Sequence, residues 1–460
     1  MNIFNRLSSL TWKLVLMMFC TIINFDILRN LKESMLLPRF GAEVIPFIKF
    51  WLVIPEAFIF LATYSFMANR LSPKRLFIFT LLPFIIWVPL FSQYLYPNLS
   101  NLALNQAADR LALITPGSLS ALPELVRYWP LTLFFGVGEL WGSGVIALLF
   151  WTLANDLHDS NAATDNYPLI AMLGNSASLI SGPLILYCLL RENGADWQGN
   201  LDRLTLLFLF NAAVMLLIHA NCQSSKHPRH VKNTTTMLSF HASIKYLTQS
   251  PQLYLLALLV LFYCISFNMI EVAWKSQLVV VYNSERDYSI FMSKMTLLNG
   301  IGCLVCGVIL QHLLKKGWKP AALATPWLML ATGAPFFALV LYNQYLLNAS
   351  GAISQILLQV TLLIGLINNV LSKSAKYTFF DATKEIAFVP LDNEQKYKGK
   401  AAIELVVSRV GKSGSALLQQ GLIIMLGSLA LSMFWLSGLF VVAIIFWIKA
   451  IYSLNQKRSD

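Results

Sequence analysis

A chain of 460 residues that is 57% hydrophobic and only 12% charged carries about half the charge of an ordinary soluble domain. That balance excludes a water-soluble globule and leaves a protein dissolved largely in the lipid bilayer. The net charge of +12 would suggest nucleic-acid binding in a soluble protein, but in a membrane protein it reflects Lys and Arg gathered on cytoplasmic loops, so no nucleic-acid partner is expected.

Hydrocarbon roughly 30 Å thick calls for spans of about 20 apolar residues. Hydropathy predicts about twelve, near 10–28, 45–68, 76–96, 130–153, 168–190, 203–220, 251–270, 290–312, 319–342, 351–371, 401–424 and 428–450. Backbone polar groups in lipid have to bond within their own segment, so the spans are helices. Barrel strands would alternate strictly, and Ala430-Leu431-Ser432-Met433-Phe434-Trp435 does not. The expected fold class is an all-α membrane protein.

The ten residues ahead of the first span are too short for a cleaved targeting segment, so the mature chain is expected to begin close to Met1. At the end of that span, Arg29 and Lys32 in Leu28-Arg29-Asn30-Leu31-Lys32-Glu33 stand three apart and share a helix face. The stretch 97–129 reads as an external loop with room for a short helix. Span four carries Glu139 inside Gly136-Val137-Gly138-Glu139-Leu140-Trp141-Gly142-Ser143, among small residues that admit another helix or a ligand. Loop 154–167 should be cytoplasmic, yet it holds Asp156, Asp159 and Asp165 and no Lys or Arg.

The polar interval 221–250 separates six helices from six, giving an N-terminal bundle 1–220, a cytoplasmic linker 221–250 and a C-terminal bundle 251–460. This is the layout of major-facilitator-type transporters, whose substrate site lies near the midplane between the halves. Its Lys226-His227-Pro228-Arg229-His230 run has metal- or anion-binding chemistry, but the positive-inside bias favours a solvated linker. Beyond it, Glu271 and Lys275 stand at i,i+4 and are spaced to pair. Cys303 and Cys306 have metal-like spacing without a second ligand pair, so they read as packing and no metal or cofactor is expected. Gly411-Lys412-Ser413 invites a phosphate-loop reading, but Val406 stands where that motif needs glycine. The segment from Lys398 and Lys400 to Arg409 and Lys412 forms a basic patch at the mouth of span eleven.

The basic segments, Arg70/Lys74/Arg75, 226–245, 315–319, 373–400 and Lys457/Arg458, fall on one side if both termini are cytoplasmic. Charges within or beside lipid are costly and point to function. Cations from both halves, interleaved with isolated acids, suit an anionic substrate, since phosphate is met by Lys as a point charge and by Arg bidentately. Plainer readings stand beside this one: Glu271 with Lys275 as a simple helix pair, Lys398 and Lys400 as cytoplasmic anchors. Glu139 has no sequence-near partner and is hardest to explain structurally.

These strings resemble the plastid and bacterial ATP/ADP translocase family, also called nucleotide transporters. The likeness recurs along nearly the whole chain, in Leu28-Arg29 with Lys32, 41–47, 136–143, 270–277, Lys376-Tyr377 with 380–385, and 390–392 through Lys398-Gly399-Lys400 to Gly411-Lys412-Ser413-Gly414. Departures are small: the family pattern has proline where Ala382 stands, threonine at Ala273 and aspartate at Glu33 and Glu404. The resemblance implies a twelve-helix secondary carrier exchanging ATP for ADP by alternating access, or importing nucleotides with protons; a monomer in a cell inner membrane is expected. A major-facilitator carrier of another organic anion is the rival. The family's essential charges map onto Lys32, Glu139, Glu271 and Lys400 or Lys398, with Arg29 and Lys275 beside them. The base is expected against an aromatic side chain, but thirty Phe, sixteen Tyr and twelve Trp offer no choice among them.

Overall fold

The computed structural model describes residues 9–157, 160–191, 197–222, 247, 250–346, 351–391, 399 and 402–459. Among them there is no strand, and eleven helices are long and apolar enough to cross a membrane. We number the long helices α1 (Ser9–Phe40), α2 (Val44–Ala68), α3 (Pro73–Leu95), α4 (Trp129–Leu157), α5 (Ile170–Leu190), α6 (Trp197–Ala220), α7 (Pro251–Val281), α8 (Glu285–Lys315), α9 (Trp318–Tyr345), α10 (Gln355–Phe388) and α12 (Leu429–Lys457). The twelfth, α11 (Ser408–Leu426), follows a π-helical turn Ile403–Val407 and is less apolar, since it carries Arg409, Lys412, Gln419 and Gln420. The stretch after α3 holds two short helices, Asn105–Ile114 and Ala121–Arg127, tied together by Arg127 to Asp109 at 2.8 Å.

Local chemistry sets the helix ends. Ser250 and Ser284 cap α7 and α8 by accepting the N–H of Leu253 and Asp287, which satisfies donors that have no partner within the helix. Gly41 and Gly427 stop α1 and α11 at φ +77° and +89°, a left-handed conformation that glycine enters without a Cβ penalty. The chain can therefore reverse in three residues between α1 and α2.

Six helices fold on each side of a seam. Within the first half α1 packs on α4, α5 and α6; within the second α7 packs on α10, α11 and α12. The start and end of each half lie together, with Lys13 donating to the Asn221 carbonyl and Gln252 to that of Lys457, as an even number of crossings requires. Across the seam α5 lies on α8, α2 on α11 and α1 on α8. The first of these contacts needs glycine: a Cβ on Gly182 would meet the Ser293 carbonyl oxygen at 2.7 Å, and one on Gly300 the Leu179 nitrogen at 2.9 Å.

Three helices run further than hydropathy implied. α1 continues to Phe40, α7 to Val281 and α10 to Phe388, so Arg29, Lys32, Glu271 and Lys275 sit inside helices rather than at their mouths. Lys373 and Lys384 are buried in α10, where a basic cytoplasmic segment was expected. Each has a carboxylate nearby, Glu271 for Lys373 and Asp381 for Lys384, and that pairing makes a charge tolerable where a hydropathy sum reads a loop. Gly411-Lys412-Ser413 lies within α11, and Gly411 lets that helix approach Cys264 and Leu261 of α7.

Candidate functional site

Where α1 and α7 face each other across the seam, Arg29 and Glu33 stand one helical turn apart on α1, and Glu271 and Lys275 one turn apart on α7. The order of sign is reversed between the two helices, so each cation meets both its own helix's carboxylate and the other's. Arg29 lies 3.6 Å from Glu33 and 4.0 Å from Glu271; Lys275 lies 3.2 Å from Glu271 and 2.9 Å from Glu33. The four close into a ring.

Two further cations converge on Glu271. Lys49 of α2 reaches its Oε2 at 3.4 Å and donates to the Asn268 Oδ1 at 2.9 Å. Lys373 of α10 lies 3.6 Å from its Oε1, with the Phe267 ring 5.6 Å away. Four cations thus share the two carboxylates Glu33 and Glu271. Among the described residues, the buried Lys373 Nζ and Arg29 Nη2 have no hydrogen-bond acceptor, a costly state for charged donors.

Beside the ring, Lys32 donates to Glu139 of α4 and sits 4.7 Å from the Phe135 ring centroid. A Cβ on Gly138 would meet the Lys32 side chain at 2.9 Å, so the small residues around Glu139 make room for this lysine. The Glu139 side chain stays 32% exposed, which leaves the pair open to an arriving solute. Tyr377 of α10 is 48% exposed, lies 4.3 Å from the Lys376 Nζ and is an electrostatic neighbour of Arg29.

Of the residues singled out from sequence, Arg29, Lys32, Glu139, Glu271 and Lys275 gather at this seam. Lys398 and Lys400 lie outside the described residues. Sequence reasoning missed Lys49, Glu33 as a partner of Lys275, Lys373 and Tyr377. Lys49 was legible as a charge inside an apolar stretch, whereas Lys373 was read into a basic cytoplasmic segment, and nothing in their spacing tied either to Glu271, which is remote in the chain. A cavity of about 510 Å³ between α7, α11 and α12 opens on another face of α7. Its lining is apolar apart from Tyr254, Lys449 and Ser453, and a single cation unsuits it to a polyanion.

A family profile described as TLC ATP/ADP transporter matches residues 6–458. The chain belongs to that family. Members of the TLC family similar to it include ADP,ATP carrier protein 1 of Chlamydia trachomatis, 38% identical over 96% of this chain and 87% of that one. The chloroplastic ADP,ATP carrier protein 1 of Arabidopsis thaliana is 37% identical over 97% and 74%, and ADP,ATP carrier protein 3 of Rickettsia bellii 30% identical over 97% and 94%. Among solved structures, a D-xylose–proton symporter aligns with a TM-score of 0.56 at 14% identity, covering 95% of this chain and 96% of that one. A nucleoside transporter aligns at 0.54 and 12%, covering 97% and 100%. At such identities these two establish the fold alone: this TLC family transporter has the major-facilitator architecture.

Proposed function

We propose that this TLC family protein exchanges ATP for ADP across a cell inner membrane, with both termini cytoplasmic, as a monomer whose moving units are 1–220 and 251–460 joined by the linker 221–250. The observation that carries the reading is the four-cation, two-carboxylate seam, whose surplus positive charge in a membrane interior calls for a polyanion. The phosphates would lie among Arg29, Lys32, Lys49, Lys275 and Lys373, with Lys398 and Lys400 as further contributors, and the base against Tyr377, whose face can stack. Because these cations come from both halves, binding draws the halves together. Glu271, Glu33 and Glu139 take the cations back when the substrate leaves, so the empty seam is not held open by bare charge.

In proteoliposomes, labelled ATP uptake should depend on ADP inside the vesicle and should be lost in Lys32→Ala. Uptake that proceeds equally into empty vesicles and follows a pH gradient would replace exchange by proton-coupled import. Competition by sugar phosphates but not by nucleotides would move the substrate to another organic anion.

A further inference from the structure

One carboxylate near the seam has no role in the phosphate site. Glu56 follows Pro55 in α2, just after the π-helical turn Lys49–Val53. Its carboxylate lies over Gly136 of α4, where a Cβ would occupy the same space. Its Oε2 is buried and, among the described residues, has no hydrogen-bond partner. The charge it feels across the gap is Glu139, three residues beyond Gly136 and so on the same face of α4.

Among the described residues, no cation of the neighbouring helices is paired with Glu56. From α1, Lys32 is engaged by Glu139. On α2 itself Lys49 is engaged by Glu271 and Asn268. From α11, Arg409 lies over Phe58 and Lys412 acts on Glu139, while α3 presents Phe84 to Phe60. Glu139 thus has Lys32, Lys49 and Lys412 about it, whereas the charge about Glu56 is Glu139, and in a membrane interior a carboxylate without a counter-charge is costly to keep ionised.

We propose that Glu56 is a proton-binding site, and that its proton is shared with Glu139 when Lys32 turns to the substrate. A carboxylic acid donates where a carboxylate cannot, so the proton gives Glu139 a hydrogen-bond donor as its lysine departs. Gly136 is what lets the Glu56 carboxylate lie against α4, one turn from Glu139. The proton site rests on the geometry of α2 and α4; only the coupling to Lys32 rests on the phosphate site proposed above.

Infrared spectroscopy of the purified full chain in lipid nanodiscs at neutral pH tests the site without any substrate. A carboxylic-acid C=O stretching band should be present in the wild type, lost in Glu56→Gln and retained, shifted, in Glu56→Asp. A wild type without that band, or a band that Glu56→Gln leaves unchanged, overturns the proposal. In proteoliposomes, uptake normalised to each protein's own maximum should fall with rising pH in the wild type and be flat in Glu56→Gln; an equally steep profile in the variant refutes the coupling to Lys32. If the chain carries no nucleotide the infrared result is unaffected, so the two readings fail separately.

Discussion

The side chains around Glu271 are held by competition rather than by a private partner each. A buried pair loses strongly when one member is removed, about 3–5 kcal/mol, because the other is left uncompensated. Lys373 differs, since Glu271 also has Lys275 and Lys49 at 3.2 and 3.4 Å. Lys373→Ala should therefore fold normally yet weaken nucleotide binding by about 2 kcal/mol, the value of a hydrogen bond to a charged group, or roughly thirtyfold in half-saturation for ATP uptake. Unchanged half-saturation would remove Lys373 from the site. Tyr377→Phe should keep uptake while Tyr377→Ala loses about tenfold, as stacking rather than the hydroxyl predicts; equal losses in both would point to the hydroxyl. At this scale the sequence singled out charges that gather at the seam, and of their pairings it offered Glu271 with Lys275. Arg29, Lys32, Glu139 and Glu271 stand out because lipid penalises them individually. That Lys32 belongs to Glu139 and Glu33 to Lys275 depends on helix packing, which no spacing within one segment encodes.

Among the elements, three of the π-helical segments begin at or just after charges of the seam. Lys49–Val53 begins at Lys49, Trp141–Phe150 begins two residues after Glu139, and Lys376–Phe380 begins three after Lys373. A π turn adds one residue and swings the following face around the axis, so the residues before it can point at the seam while those after it pack elsewhere. Trp141, for example, donates its Nε1–H to the Thr21 carbonyl at 3.0 Å and is fully buried. Hydropathy located the helices well and their ends poorly, because it scores Lys and Glu as loop even where a neighbouring helix pairs them. The π turns left no mark in composition. The α5–α8 contact rests on Gly182 and Gly300 and supports a sharp expectation. Gly182→Leu forces a side chain into the backbone of α8, an overpacking that costs about 1–3 kcal/mol. Uptake should fall by at least an order of magnitude in protein that still elutes as a single species in size-exclusion chromatography; full activity would show that α5 and α8 need not approach so closely.

Among the described residues, the bonds that join the halves outside the seam are concentrated at one end of the molecule. Glu285 of α8 receives Arg39 at 2.7 Å and the Tyr96 hydroxyl at 2.7 Å. Glu43 accepts the Leu429 N–H at 3.2 Å, and Gln420 donates to the Pro46 carbonyl at 2.9 Å. At the other end, bonds such as Lys13 to Asn221 and Gln252 to Lys457 stay within one half. The structure is thus the conformer closed at the end holding the short α1–α2 and α11–α12 turns. A disulfide between Glu43→Cys and Leu429→Cys should arrest exchange by holding that end shut, and reductant should restore it; exchange that continues through the crosslinked protein would mean this end does not open during transport. That the helices form a major-facilitator-like fold was legible in the hydropathy, whereas the end that is shut was not, since it depends on contacts such as Glu43 with Leu429 that join opposite ends of the sequence.

The mirrored order of charge on α1 and α7 bears on inhibition. A rigid dianion long enough to span Arg29 and Lys275, but too short to reach Lys32, would unlock the quartet without recruiting α4. Such a compound would occupy the carrier as a dead-end ligand.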